Sequence, residues 1–322
     1  MNEEEQQQSF EDSEHFQQFF SKKTTTTAIS YAGQLGILIG LLGVALIIGS
    51  LIAGIVFVGL THTSFFDLEK AMANPAYANA SKIAQLIGSI VIFFVPAFFY
   101  ARIVNKNPFK QLGFNKHISI KQIFIVIAIA FAGLYLSGAL ARLNEIIPIS
   151  KNLSTYFKQM EDKYSEQVLI MANMKTIGDY LFSLLVIALA PAIVEETLFR
   201  GGLQNILVKW TKNAWVGIII TSIIFSAIHF SYYGFLSRAM LGIVLGFIFY
   251  ETKSLWLNIL MHFINNGIAI TGLFFVMKKE KVTKDSLNDD TYPLWIGAVA
   301  LLVIIYLFQL LKKETAKQNI QA

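Results

Sequence analysis

Long apolar runs recur along this chain and limit what it can fold into. Hydrophobic residues make up 55% of the 322 residues and charged residues only 15%, which is far from the composition of soluble domains. A run of about 20 apolar residues is long enough to cross a bilayer as a helix. We therefore predict an all-α, polytopic membrane protein with about eight transmembrane helices. The predicted spans are roughly 33–60, 83–101, 122–141, 180–199, 214–230, 239–250, 255–276 and 293–311, of which 239–250 is the weakest because it is short.

Composition divides the chain into three parts. Residues 1–27 are polar, with acidic and Gln-rich stretches, which predicts a disordered tail. Residues 28–311 contain the apolar runs and are predicted to form one helical membrane domain, followed by a short basic tail at 312–322. The first apolar run is much longer than the roughly 7–15 residues of a secretory signal. We interpret it as an uncleaved first span.

The distribution of charge indicates orientation and partners. The loop at residues 102–121 carries five Lys or Arg and no acidic residue, which favours the cytoplasmic side. In an eight-span count both termini then lie on that side, and we expect a bacterial plasma membrane. The net charge of +5 comes mostly from loops between apolar runs. We therefore expect the lipid bilayer, with its anionic head groups, as a partner and no nucleic acid.

Two further features of the sequence restrict the chemistry and the surface. The chain contains no Cys, which excludes disulfides, thiolate catalysis and Cys-based metal sites. Residues 151–175 lie between two predicted spans and are rich in charged and aromatic side chains. They are predicted to form either an amphipathic helix at the membrane surface or a solvated loop.

Three ionisable residues, Glu195, Glu196 and Arg200, close the fourth apolar run. A charge at the centre of a membrane helix costs roughly 2.5–3.5 kcal/mol on insertion scales, so such residues usually face a polar interior or mark a functional site. Glu196 and Arg200 share a helical face in the favourable order for an ion pair, whereas Glu195 points about 100° away and is left free. Pro191 removes a backbone donor, which a membrane tolerates beside a polar cavity. The alternative is a helix end at the membrane surface with an ordinary ion pair.

Two more polar motifs lie in later apolar runs. Phe225-x-x-x-His229 closes the fifth run, and His262-x-x-x-Asn266 lies inside the seventh, where its two polar residues share a helical face. A single His in a membrane helix is more often a hydrogen-bonding partner of another helix than a ligand or a base. Glu195, His229 and His262 together supply a general base, an imidazole partner and an oxyanion donor, or a mononuclear metal site with an open position.

Taken in this order, the three motifs resemble those of the CPBP family. This family contains type II CAAX prenyl endopeptidases, bacteriocin-processing enzymes and Abi-like proteins, and the motifs span residues 195–266 of this chain. The resemblance implies a membrane-embedded endopeptidase. Its substrate would be a membrane-associated or lipid-modified protein or peptide, hydrolysed at a peptide bond by an activated water.

The resemblance also implies roles for individual residues. Glu195 and His229 would activate the water, and His262 and Asn266 would stabilise the developing oxyanion. The ion pair of the fourth span would hold its helix in place, and Phe225 is a further supporting residue. The family is described both as metal-dependent and as glutamate-dependent without a metal. The cofactor is therefore expected to be either a divalent metal such as zinc, held by Glu195, His229 and His262 with water in the fourth position, or none.

Two other classes of function are alternatives to the endopeptidase. One is a non-catalytic membrane protein of the same fold, such as a bacteriocin-immunity or scaffold protein, which would tolerate the loss of Glu195. The other is a transporter, in which buried Glu, His and Arg would relay protons. Against the transporter, the sequence shows neither an inverted repeat nor paired broken helices.

The predicted spans place Glu195 and His229 at different depths in the membrane. Reacting groups must lie within about 3 Å of each other or be joined by one water, so one predicted helix boundary needs correction. We expect either that the fourth helix continues through Gly201-Gly202 towards Trp210, or that the fifth reaches past Phe230 to Tyr233.

Overall fold

The computed structural model describes residues 29–114, 117–171, 174–279 and 291–321. Within these ranges the chain forms helices and loops and contains no strand, which confirms the predicted all-α class. The longer helices are α1 (Tyr31–Thr61), α2 (Pro75–Val104), α3 (Ile120–Ile146), α4 (Lys151–Met171), α5 (Ile177–Thr211), α6 (Ala214–Ala227), α7 (Phe235–Thr252), α8 (Leu255–Lys279) and α9 (Leu294–Gln321). Two short helices, Leu68–Met72 and Pro108–Leu112, lie in the connections.

Seven helices in the described ranges, which are the nine numbered helices without α4 and α6, are long and apolar enough to cross a membrane. The chain is therefore an integral membrane protein. All eight predicted apolar runs are helical, but the helix that is too short to count as a membrane span is not the one expected. The run predicted at 214–230 forms only the 14 residues of α6, whereas the run predicted at 239–250 lengthens to the 18 residues of α7.

The structure bears differently on the two predicted tails and on the segment at 151–175. The predicted disordered tail at 1–27 lies outside the described residues. Residues 312–321 continue α9 as its last turns. Of the two alternatives for residues 151–175, the structure supports the helix. It forms α4, and none of its residues is buried, so it lies on the surface of the bundle.

Two membrane helices change their hydrogen-bond pattern just before a proline. In α2 a π-helical segment, Ile90–Phe94, precedes Pro96, and in α5 the segment Leu184–Leu189 precedes Pro191. Proline cannot donate to the helical ladder, and a π-bulge shifts the ladder by one residue. Both helices continue past their proline. The segment that carries the charged residues of α5 therefore begins at a local change in helical winding.

Helix α5 is longer than its apolar run. A second π-helical segment, Thr197–Gln204, carries the helix on to Thr211, which confirms the expected extension through Gly201-Gly202. Gly201 packs closely on the connection between α2 and α3, because a Cβ there would lie 2.7 Å from the carbonyl oxygen of Leu112. The charged residues thus lie in the middle of a helix. The interpretation of this stretch as a helix end is wrong.

Helix α6 ends earlier than either prediction. Its last residue is Ala227, and Phe230 takes a left-handed φ of 51°, which a right-handed α-helix cannot accommodate. The alternative extension of the fifth helix to Tyr233 is therefore wrong. His229 lies in the loop between α6 and α7.

Close packing of α6 on α7 depends on small residues. A Cβ on Gly242 would lie 2.9 Å from the Cβ of Ser222, and a Cβ on Gly246 would lie 2.7 Å from a methyl group of Ile218. Small residues four apart allow helix backbones to approach in a membrane. Around this pair, one buried cluster joins side chains of α1, α2, α5, α6, α7 and α8, and a second joins α3, α7, α8 and α9.

Candidate functional site

Four polar side chains from two helices form a buried network: Glu196, Arg200, Asn258 and His262. Each is at most 3% exposed. Arg200 Nη1 donates to Glu196 Oε1 over 2.8 Å, as the spacing of these residues predicts. Asn258 Nδ2 donates to Glu196 Oε2 over 3.2 Å, and His262 Nδ1 lies 2.9 Å from Glu196 Oε1. The carboxylate therefore has three partners. Their hydrogen bonds replace those to water that the charge loses on burial.

Backbone carbonyls of α7 hold the buried network in place. Arg200 Nη2 donates to the carbonyl of Gly242 over 3.1 Å, and Asn258 Nδ2 donates to that of Leu245 over 2.7 Å. The Arg200 guanidinium also lies 4.7 Å from the centre of the Phe225 ring on α6, a cation–π contact. Contacts of the ion pair therefore link α5 to α6, α7 and α8.

Glu195 has different surroundings from its neighbour. Its side chain is 15% exposed, whereas that of Glu196 is fully buried. Glu195 Oε2 lies 3.9 Å from His262 Nε2, which is longer than a hydrogen bond. The imidazole of His262 thus lies between two carboxylates, with Nδ1 facing Glu196 and Nε2 facing Glu195. This leaves Glu195 available to bind a water or a group of a substrate.

His229 borders the site from the loop after α6. Its Nδ1 lies 2.8 Å from the carbonyl oxygen of Phe225, so Nε2 is the ring nitrogen left for other partners. The Phe225 ring centre is 5.2 Å from that of His229 and 5.9 Å from that of His262. Both imidazoles therefore contact the same aromatic ring. Across the described ranges, no hydrogen bond or ion pair joins His229 to Glu195.

Asn266 lies one turn after His262 on α8. Its side chain is half-buried, and its Oδ1 accepts from Asn265 Nδ2 over 3.4 Å, which leaves its own amide nitrogen as a donor. Of the four residues with predicted catalytic roles, the structure brings Glu195 and His262 together directly. His229 contacts the Phe225 ring, which also contacts His262. Asn266 lies on the same face of α8 as His262.

The arrangement bears on the metal-dependent alternative. In the part of the chain that the structure describes, no group of three or more His, Cys, Asp or Glu side chains is placed to hold a metal ion. Glu195, His229 and His262 are therefore not gathered as a ligand set. The Nδ1 side of His262 is already bonded to Glu196.

Two features of the site are absent from the sequence prediction. Asn258 lies one turn before His262, so α8 carries polar residues at three successive fourth positions: Asn258, His262 and Asn266. Because residues four apart share a helical face, this spacing in an apolar helix predicts that Asn258 lies beside His262. The bond between Glu196 and His262 joins two helices and has no such signal, because positions within one helix do not reveal its neighbours.

The comparisons with known proteins cover the part of the chain that contains this site. A family model described as type II CAAX prenyl endopeptidase Rce1-like matches residues 177–268, a range that contains all three motifs and the buried network. The match bears out the resemblance seen in the motifs.

The chain is also similar to one curated protein. A protein of Escherichia coli, described as an uncharacterized 24.3 kDa protein, is 26% identical over 160 residues, which are 48% of this chain and 64% of that protein. The chain thus spans slightly less than two thirds of the length of this relative. No solved structure gives a significant match.

Proposed function

We propose that this chain, which matches the Rce1-like CAAX endopeptidases over residues 177–268, is a membrane-embedded endopeptidase. Its substrate is a membrane-associated or lipid-modified protein or peptide. One observation carries the proposal: His262 lies between a carboxylate that is fully bonded, Glu196, and one that is partly exposed, Glu195. Such a set supplies a base and an oriented imidazole in one site, which peptide hydrolysis by water requires.

In the proposed reaction Glu195 acts as the general base. It accepts a proton from a water whose oxygen attacks the carbonyl carbon of the substrate, and it then passes this proton to the leaving amine as the peptide bond breaks. His229 assists in activating the water through its Nε2 atom, because its Nδ1 atom already faces the Phe225 carbonyl. A positioned base of this kind typically accelerates a reaction about 100- to 10,000-fold.

His262 and Asn266 act on the negative charge that develops on the carbonyl oxygen. Glu196 accepts a hydrogen bond from Nδ1 of His262 and so fixes the orientation of the ring, as a carboxylate does for a catalytic imidazole. When the ring is doubly protonated, Nε2–H faces the Glu195 side and donates to the oxyanion, with the Asn266 amide as a second donor. Glu196 therefore acts on the reaction through His262 as well as pairing with Arg200.

We infer that the protein lies in the bacterial plasma membrane with both termini in the cytoplasm, which requires the short helix α6 to cross the membrane in addition to the seven longer helices. One pair of contacts supports the side on which the C-terminal helix ends. Ser119 at the start of α3 donates to Glu314 near the end of α9 over 2.9 Å, and Gln122 donates to Thr315 over 2.9 Å. The C-terminal end of α9 therefore lies on the same side of the bundle as the basic loop at 102–121.

The test uses the full-length chain purified into phospholipid vesicles. The probe is a peptide with a farnesylated CAAX sequence and a fluorophore–quencher pair across the expected bond, alongside the same peptide without the farnesyl group. In a second assay, the new peptide termini produced by cleavage are identified in host membranes that contain either the wild type or Glu195→Gln. Cleavage that depends on Glu195 supports the proposal. If neither assay shows a Glu195-dependent product, the non-catalytic alternative is favoured.

A further inference from the structure

The loop at residues 228–234, which carries His229, has little support from a helix of its own. Helix α6 ends just before it, and Phe230 has a left-handed φ of 51°, which is uncommon for a residue other than glycine. The Phe230 side chain is 72% exposed. The contact of His229 Nδ1 with the Phe225 carbonyl fixes one nitrogen of the ring but not the backbone after it. The position of the imidazole therefore depends on what holds the loop.

Helix α4 holds this loop from outside the bundle. Ser231 Oγ donates to Glu161 Oε2 over 2.7 Å and accepts from the backbone N–H of Gly234 over 3.2 Å, which closes the loop around a side chain only 4% exposed. The next residue, Tyr232, stacks on Phe157 with ring centres 4.7 Å apart and an interplanar angle of 5°. Two adjacent loop residues are thus each bound to α4.

These contacts come from one face of a helix that is otherwise at the surface. Phe157, Glu161 and Tyr164 are four and three residues apart in the sequence, so they project from the same side of α4. The Tyr164 ring lies 5.5 Å from the guanidinium carbon of Arg238, in the first turn of α7. Because α4 has no buried residue, these contacts do not arise merely from burial in a core.

We propose that Glu161 and Phe157 are positioning residues for His229, a role that rests on the endopeptidase function proposed above. Ser231 lies two residues after His229, so its bond to Glu161 restrains the backbone that carries the imidazole, and the stacked pair restrains the following residue. Hydrogen bonds to a charged acceptor are stronger than those between neutral groups, which suits a contact made by a surface helix. Neither residue touches the reacting atoms.

The first test separates positioning from a general structural role. Glu161→Leu removes the acceptor at similar size and should lower kcat about tenfold, because even a misplacement of about 1 Å can cost up to roughly 100-fold in rate, with KM little changed. Glu161→Gln keeps an acceptor oxygen for Ser231 and should restore most of kcat. Asp162→Leu removes an exposed carboxylate from the next position of α4 and should match the wild type.

Three results of this test overturn the proposal. They are an unchanged kcat in Glu161→Leu, an equal decrease in Asp162→Leu, and no rescue by Glu161→Gln. Ser231→Ala extends the test by removing the other partner of the bond. The double variant with Glu161→Leu should lose no more kcat than either single variant, because the two side chains act as one unit. Additive losses would show that Glu161 acts elsewhere.

A readout without catalysis distinguishes this inference from the proposed function. The chain has no Cys, so Phe230→Cys places a single nitroxide label next to His229. Label mobility should increase in Glu161→Leu, return in Glu161→Gln and stay unchanged in Asp162→Leu. That pattern in a chain without proteolysis contradicts the proposed function alone. An active chain in which Glu161→Leu changes neither kcat nor label mobility contradicts the positioning role alone.

Discussion

The buried network around Glu196 and the loop around His229 both contact the Phe225 ring, yet they are held in different ways. Every side chain of the network is at most 3% exposed, and its bonds join α5 to α7 and α8. The His229 loop is bound by α4, a helix without a buried residue. Damage to the network should therefore reduce folding and catalysis together, whereas damage to the loop should reduce catalysis alone.

The same contrast separates two adjacent residues of α5. Glu196 is bonded to Arg200, Asn258 and His262, and removing a bonded partner leaves other charges buried. Glu195 is 15% exposed and lies 3.9 Å from the nearest imidazole nitrogen, so its removal leaves no buried group without a partner. We therefore expect Glu196 to contribute mainly to stability and Glu195 mainly to the proposed catalysis.

The largest effect is expected for Glu196→Ala. It leaves the fully buried Arg200 without its carboxylate, and breaking a buried ion pair on one side typically lowers the free energy of unfolding by about 3–5 kcal/mol. It also frees the His262 ring, so proteolysis should fall as well. Thermal unfolding in detergent and kcat in vesicles measure the two effects. An unchanged midpoint of unfolding would show that the buried network does not stabilise the bundle.

The next effect concerns the proposed oxyanion donors on α8. Asn266→Ala should lower kcat roughly 100- to 1000-fold, the usual result of removing one oxyanion donor, or about 2.7–4 kcal/mol. Its midpoint of unfolding should stay near that of the wild type, because its side chain is only half-buried. Metal content is measured in parallel on the wild type, His262→Ala and Asn266→Ala. Stoichiometric metal that disappears in His262→Ala would contradict the oxyanion role of this residue and favour a metalloprotease.

A smaller effect tests how the two regions are joined. Gly242 accepts from Arg200 through its carbonyl and packs against Ser222 of α6, where an added Cβ would lie 2.9 Å away. Gly242→Ala should therefore lower the free energy of unfolding by about 1–3 kcal/mol, as overpacking usually does. Gly36→Ala is the control, because a Cβ at Gly36 of α1 meets nothing within 4 Å. Equal stability of the two variants would contradict the close packing of α6 on α7.

Much of the fold follows from local properties of the sequence. The length of an apolar run predicts a membrane helix, and all eight runs are helical. The ends of two helices do not coincide with the ends of their apolar runs. α5 continues past its run through Gly201, where the absence of a side chain allows close packing on Leu112, and α6 ends before His229, where Phe230 adopts a left-handed φ. Neither feature is visible in the hydropathy of the sequence.

The site was predictable only within single helices. The pairing of Glu196 with Arg200 follows from their spacing, since residues four apart share a face. The bonds that Glu196 makes to Asn258 and His262 cross from α5 to α8, and no pattern within one helix specifies them. The contact of Glu161 with Ser231 joins residues 70 positions apart and is invisible to the sequence for the same reason.

The division between the two glutamates is tested most directly by measuring proteolysis and thermal unfolding together on Glu195→Gln and Glu196→Gln. Both substitutions remove one negative charge at nearly constant size, from adjacent positions of α5. Glu195→Gln should abolish cleavage at an unchanged midpoint of unfolding, whereas Glu196→Gln should lower the midpoint because Arg200 loses its charged partner. Cleavage that survives in Glu195→Gln, or an equal loss of stability in the two variants, would contradict this account.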